Sequence, residues 1–597
     1  MFKLALLTFL LLAAPVWAQE TCTTTPCASD GSNPACDTVA EITTKINAAS
    51  DTNVVCLKRG SSWVVSSAIS YTGDHTDANR ILVCASDASI CTESGAANPR
   101  FSRSTEGQFI VFNGDGITIR NVDFAHANIA GNMDILSFPH LSEDITIEGG
   151  VMSGGKFGQG SSFGDANGAV VTNLRLGTCA KPIEVTGYQQ NQTGALWFGS
   201  CRNCYFSFNL HDWGQQTANG GQSHIIDLAA HGGSGGFSLM RPQNVTIECS
   251  TIDWNNTVGS NTERLGSFLK LTFGDGVVIR DNVISEQVAM PYGQGYGVAP
   301  GFIDVEGHGG APWTEGIQNV AIYRNHFISR GSGIMDLSGA QGFDVYNNVF
   351  ELDVGSGCGP GNNDCIYAYV LNMTGPCGGG ACDPNNSIDF HNNTVLLRSG
   401  TTTDNRVKLL AVSGTNDCTD CRLRNNVVYT TGTQAGDIVD SVGSCGYWGT
   451  NGVNISNNFL YAANDTSMGL AWEASCSGDA NNSSSPYSTA PNLNDPLNTA
   501  ATVETRFAVT CSGASNICGY GSATGAPSTD YAGNTRPNPP SAGAFDTGGG
   551  GGSGPSFNGS CSGCTLSDAH SRALDLVACV RTARGQAIKD CWAEGSE

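Results

Sequence analysis

The stretch that decides the fold runs from Ser267 to Phe350 and writes one pattern three times: SFLKLTFGDGVVIRDNVI (267–284), then GFIDVEGHGG (301–310) with VAIYRNHFI (320–328), then GIMDLSGAQGFDVYNNVF (333–350). Each copy has an alternating apolar segment, a short gap, and a second apolar segment that runs into Asn. The first segments set Lys270, Asp304 and Asp336 between apolar neighbours, and the second segments end at Asn282, Asn325 and Asn348. If the copies are successive turns of a coil, each set of equivalent residues is stacked in space.

Working outward, the second-segment pattern recurs at ITIRNVDF (117–124), ITIEGGVM (145–152), VVTNLRL (170–176), YFSFNLHD (205–212), VTIECSTI (245–252), IDFHNNTV (388–395), CRLRNNVV (421–428) and VNISNNFL (453–460). Copies lie roughly 20 to 45 residues apart, which suits one rung per repeat with variable loops. A Greek-key sandwich also supplies many short strands. A sandwich, however, has no reason to repeat one turn residue along the chain. Asn tolerates the left-handed backbone, and its amide can bond to the Asn of the next rung.

These motifs, together with LKRGSSW (57–63) and the closing DYAGNTRPNPPSAGAFD (530–546), resemble the pectate-lyase-like superfamily over about residues 38–546. The resemblance implies an all-β chain: a right-handed parallel β-helix, a single-stranded solenoid. That fold hosts lyases, hydrolases, esterases and adhesins, so the resemblance leaves the activity open. At the amino end, Val39, Ile42 and Ile46 fall at helical spacing and predict a short capping helix before a strand at Val54–Leu57.

Composition narrows the partners. The 597 residues include 77 Gly and only 14% charged residues, with 29 Lys plus Arg against 53 Asp plus Glu for a formal charge of −24. Such a surface repels nucleic-acid phosphates and anionic lipid. Residues 1–18 read as a signal peptide, with Lys3, an apolar run from Leu4 to Ala14, and Val16-Trp17-Ala18 before the cut. No later segment approaches the roughly 20 apolar residues of a membrane span, so a secreted product is expected. The 24 cysteines follow that cut, many in close pairs such as 22/27, 84/91, 201/204, 358/365, 377/382, 418/421, 511/518 and 561/564, and read as disulfides rather than zinc ligands.

The expected organisation is a β-helix domain over 19–546, a Gly/Ser linker over 547–558 and a Cys-rich helical tail over 559–597, stapled by Cys561, Cys564, Cys579 and Cys591. The tail carries no chemistry of its own and is suited to docking a surface or secretion partner.

In a strand alternate side chains face opposite sides, so each apolar-X-apolar segment buries its flanks and presents X outward. Aligning the segments gives Trp197, Asp227, Lys270, Asp304, Asp336 and Tyr369 down one face, at about 4.8 Å per rung. Glu306 and His308 follow Asp304 at steps of two. His224 flanks the Asp227 segment, and Arg264 precedes the Lys270 segment. Acids, a Lys, two His and an Arg thus converge between Trp197 and Tyr369, two rings suited to stacking on sugars.

β-Elimination on a uronate polymer needs the substrate carboxylate neutralised, often by calcium on carboxylate oxygens, and a base for the proton beside it. Asp304, Glu306 and Asp336 are the candidate calcium ligands. Lys270 or His308 is the candidate base, and Arg264 the partner of the carboxylate or leaving oxygen. Trp197, Asp227, Tyr369 and His224 are candidate substrate contacts. Neighbouring carboxylates favour the ammonium form of Lys270, so a bound cation is what frees it as a base.

Hydrolysis would instead pair Asp304 with Asp336 or Asp227. Adjacent rungs at about 4.8 Å are too close for an inverting pair, whereas rungs two apart come near the roughly 6.5–9.5 Å it needs; the paired-Asp signature of polygalacturonases is missing, so elimination ranks first. A non-catalytic glycan-binding or structural rod is the competing class, since an alternating charge stack also serves as a surface ion ladder.

Overall fold

The computed structural model describes residues 20–546 apart from stretches between strands, chiefly 127–135, 139–141, 154–170, 187–195, 198–200, 211–225, 229–241, 255–267, 287–301, 307–316, 355–367, 374–384, 400–406, 413–417, 432–438, 442–452, 463–489 and 512–516. The expected signal peptide, linker and Cys-rich tail lie outside the described residues.

Within them the chain forms parallel sheets of 17, 13, 8 and 3 strands. One rung shows the plan: Leu269–Leu271 belongs to the 8-stranded sheet, Gly274–Arg280 to the 17-stranded sheet and Val283–Glu286 to the 13-stranded sheet. The next rung repeats the order with Ile303–Glu306, Ile317–Tyr323 and His326–Ser329, each strand pairing in parallel with its equivalent. In the first rungs the 3-stranded sheet, beginning with Ile69–Tyr71, takes the place of the 8-stranded one. This is the parallel β-helix that the repeats predict.

Its core is the inward half of each strand, where Val277, Ile279, Val320, Ile322, Phe343 and Val345 are fully buried. Aromatic rings stack from rung to rung, with Phe327, Phe350 and Phe390 centred 5.2 and 5.5 Å apart. A helix over Val39–Asn47 buries Ile42 and Ile46 against the first rungs. It starts at a capping box, in which Thr38 Oγ1 accepts from Glu41 N and Glu41 Oε2 accepts from Thr38 N.

The repeated Asn pattern proves to span two strands and the tight turn between them, and the two properties expected of one Asn fall on two adjacent residues. The first turn residue takes the left-handed backbone: Asp281, Arg324, Asn347, Asn392, Asn425 and Asn457 all have φ between 51° and 56°. The second, at Asn282, Asn325, Asn348, Asn393, Asn426 and Asn458, is buried and extends its amide along the coil. Each of the first five Nδ2 groups donates to the Oδ1 of the next at 2.8–3.2 Å. Each also donates to a carbonyl of the preceding rung, as Asn348 Nδ2 does to Ile322 O at 2.8 Å.

A second left-handed column interrupts the 17-stranded sheet at Asn173, Asn203, Asn244 and Asn319. VVTNLRL belongs to this column rather than to the buried ladder. Alanine at Asn457 must adopt φ 55° and loses the bond from Nδ2 to Tyr520 O, so it should cost about 1–2 kcal/mol in urea denaturation, with glycine costing less.

Among the described residues six disulfides have both partners placed: Cys22–Cys56, Cys27–Cys36, Cys84–Cys91, Cys179–Cys249, Cys201–Cys204 and Cys511–Cys518. Three of the close pairs are joined to each other. Cys22 and Cys27 are not, because Cys22 reaches a strand residue and Cys27 closes the loop before the helix.

The closing segment, residues 490–511 and 517–546, lies along the outside of the later rungs as a strap. Val349, Leu396, Val427, Tyr429 and Phe459 of the coil meet Val503, Phe507, Ile517, Tyr531 and Phe545 of the strap in a second, smaller core. Side-chain amides of the left-handed turn residues hold the strap: Asn347 Nδ2 donates to Thr529 O at 2.7 Å and Asn425 Nδ2 to Ser522 O at 2.9 Å.

Candidate active site

The 8-stranded sheet carries the predicted file of polar residues. Its register runs Trp197, Asp227, Lys270, Asp304, Asp336, Asn372, Ala411 and Asp440, each paired with the next across parallel strands. The first five positions match the sequence alignment. Their flanks explain why: Leu269 with Leu271, Ile303 with Val305, and Met335 with Leu337 are all buried, which forces the residue between them to the other face.

Two expectations need correction. Tyr369 is not in the file; its strand, Ala368–Met373, pairs so that Asn372 takes the slot beside Asp336. AYVLNM contains two apolar-X-apolar frames, Ala368-Tyr369-Val370 and Leu371-Asn372-Met373, and pairing of Leu371 with Met335 selects the second. Tyr369 is instead 2% exposed and takes no part as an exposed stacking ring. Nor is Asp304 an exposed group: it is 6% exposed, while Lys270 and Asp336 are partly buried. With Lys270 and Asp336 in the flanking slots, both sides of Asp304 are occupied along the file.

Asn372 is the residue that sequence reasoning missed, and the second frame of AYVLNM was the signal for it. Its Nδ2 donates to Asp336 Oδ1 at 3.2 Å, and Tyr369 Oη donates to Asp336 Oδ2 at 3.3 Å. Glu306, Trp197 and Asp227 have their strand positions defined, Glu306 opposite Ser338, but their side chains lie outside the described residues. Arg264, His308 and His224 lie outside the described residues altogether.

The file offers oxygen ligands from Asp304 and Asp336 on adjacent strands, the ligand chemistry that calcium takes. Elsewhere among the described residues, ligand-like trios occur at Cys56, Cys84 and Cys91 and at Cys179, Glu248 and Cys249. Their cysteines are bound in disulfides and are not free to ligate.

No protein-family model and no curated protein matches this sequence. Among solved structures the chain is similar to an alginate lyase from Paenibacillus sp. strain FPU-7, at 12% identity over 67% of this chain and 94% of that one, with TM-score 0.28. It is also similar to the PL6 family alginate lyase AlyGC, at 11% identity over 79% and 56% with TM-score 0.40. A third is the pectate lyase Pel9A, at 11% identity over 84% and 90% with TM-score 0.31. The likeness is one of fold.

Proposed function

We propose that the chain is a secreted polysaccharide-active enzyme, a lyase that cleaves uronate glycans by β-elimination along the face of the 8-stranded sheet. The observation that carries the reading is the register that stacks Asp227, Lys270, Asp304, Asp336 and Asn372 in one unbroken file. A file this long, with one cation set among carboxylates, suits a chain of acidic sugars held by several rungs at once. The six disulfides support an oxidising compartment outside the cytoplasm. Among the described residues no helix is long and apolar enough to cross a membrane.

In the proposed reaction Lys270, or His308, takes the proton from the carbon beside the uronate carboxylate. A carbon–carbon double bond forms next to it, the bond to the glycosidic oxygen breaks, and that oxygen leaves with a proton from solvent or a second side chain. Asp304, Glu306 and Asp336 would hold calcium, which when bound neutralises the substrate carboxylate and acidifies that carbon–hydrogen bond. Arg264 would pair with the carboxylate or the departing oxygen. Trp197, Asp227 and His224 would line the approach.

The test is incubation of the mature protein with pectate, alginate and other uronates, with and without calcium. Absorbance near 235 nm from unsaturated ends, dependent on calcium, is expected. No product across a broad panel would sink the lyase and favour a glycan-binding rod.

A further inference from the structure

We infer that Tyr369 and Asn372 are positioning residues that fix the carboxylate of Asp336 in the file. The inference rests on the proposed role of Asp336 as a cation ligand. An aspartate carboxyl turns freely about its last bond, since that torsion has only broad minima. A single hydrogen bond leaves it free to swing. Here each oxygen has its own donor, Asn372 Nδ2 on Oδ1 at 3.2 Å and Tyr369 Oη on Oδ2 at 3.3 Å, and both donors come from one strand.

That strand is itself fixed beneath Asp336. Tyr369 O accepts from Ile334 N at 2.8 Å, two residues before the aspartate. Gly333 is what lets the ring lie there, because a Cβ at this position would run into the Tyr369 ring. Tyr369 and Asn372 are 2% and 6% exposed, so water does not readily replace either donor. A carboxylate offers about four lone-pair sites, and capping one on each oxygen sets the plane in which the others point. The buried tyrosine thus acts through Asp336 and not on sugar directly.

Removing a partner behind a metal ligand typically weakens binding by about 10–100-fold. Calcium calorimetry on the full-length protein, with thermal unfolding in calcium and in chelator, tests the inference on wild type, Tyr369→Phe and Asn372→Ala. Tyr369→Phe retains the ring and removes only the hydroxyl. Calcium binding weaker by about tenfold or more in each variant, with a smaller calcium-induced rise in the unfolding midpoint than wild type shows, is the expected result. Variants that bind calcium as wild type does, or that lose stability equally in calcium and chelator, would overturn the inference while leaving the proposed activity standing. A wild type that binds no calcium would remove the premise that Asp336 is a cation ligand and overturn the inference without the variants, whereas the proposed activity stands or falls on the uronate panel.

Discussion

Lys270→Ala is expected to lower uronate cleavage by roughly 10²–10⁴-fold, the size of a general acid–base contribution, with the unfolding midpoint close to wild type. Lys270 lies between Asp227 and Asp304 in the register, the one cation among the described file positions. Asp304→Asn should be comparably damaging. Asparagine is the right replacement because Asp304 is buried, so alanine there would confound folding with chemistry. Rate measurements at saturating uronate, beside the unfolding midpoint of each variant, separate the two effects. Full activity in both variants would move the chemistry off this face of the coil.

The other large effect is on stability. Glu351, on the 13-stranded sheet, bonds Arg506 of the strap through both oxygens at 2.5 and 2.7 Å, with His326 Nε2 at 2.7 Å and Arg398 Nη2 at 3.4 Å. Arg506 sits in the short helix Val503–Phe507 and also donates to Pro496 O. Arg506→Ala removes two bonds from a buried carboxylate and leaves it only His326 and Arg398, so it should cost about 3 kcal/mol in denaturant unfolding, the lower end for a broken buried pair. Glu351→Leu with Arg506→Met should recover part of that loss. A loss below about 1 kcal/mol for Arg506→Ala would mean that the strap is not held here.

The same cluster sets a pH dependence. Burial pushes the Glu351 carboxyl up, but hydrogen bonds and charge from His326 and Arg506 outweigh it and bring it from 4.5 to about 2. A lowered carboxylate contributes stability above its unfolded value and loses it as pH falls through its folded one. At 1.36 kcal/mol per pH unit this contribution is about 3 kcal/mol, complete above pH 4.5 and lost between there and pH 2. Glu351→Gln should flatten that part of the stability curve.

The sequence carried the coil and most of the file because both rest on periodic constraints. Buried flanks of period two fix which way Lys270 and Asp304 point, and the repeated turn fixes where each rung begins. Tyr369 escaped because Ala368–Met373 is apolar enough to satisfy that period in two frames, and only pairing chooses between them. The burial of Asp304 depends on its neighbours across rungs, which no single segment records. The Glu351–Arg506 bond joins residues 155 apart, with nothing local in either to announce the other.

Solenoids usually gain stability rung by rung from nearest neighbours, so their ends can melt without the middle. The strap changes that arithmetic in the carboxyl-terminal half. It ties rungs containing Asn347, Glu351, Thr394 and Asn425 to residues 97 to 182 positions further along the chain, through Thr529, Arg506, Ala544 and Ser522. The amino-terminal rungs can close as they emerge, whereas these later ones are complete only after residue 546. Such long-range contacts slow folding, giving one molecule a zipper at its start and a clasp towards its far end.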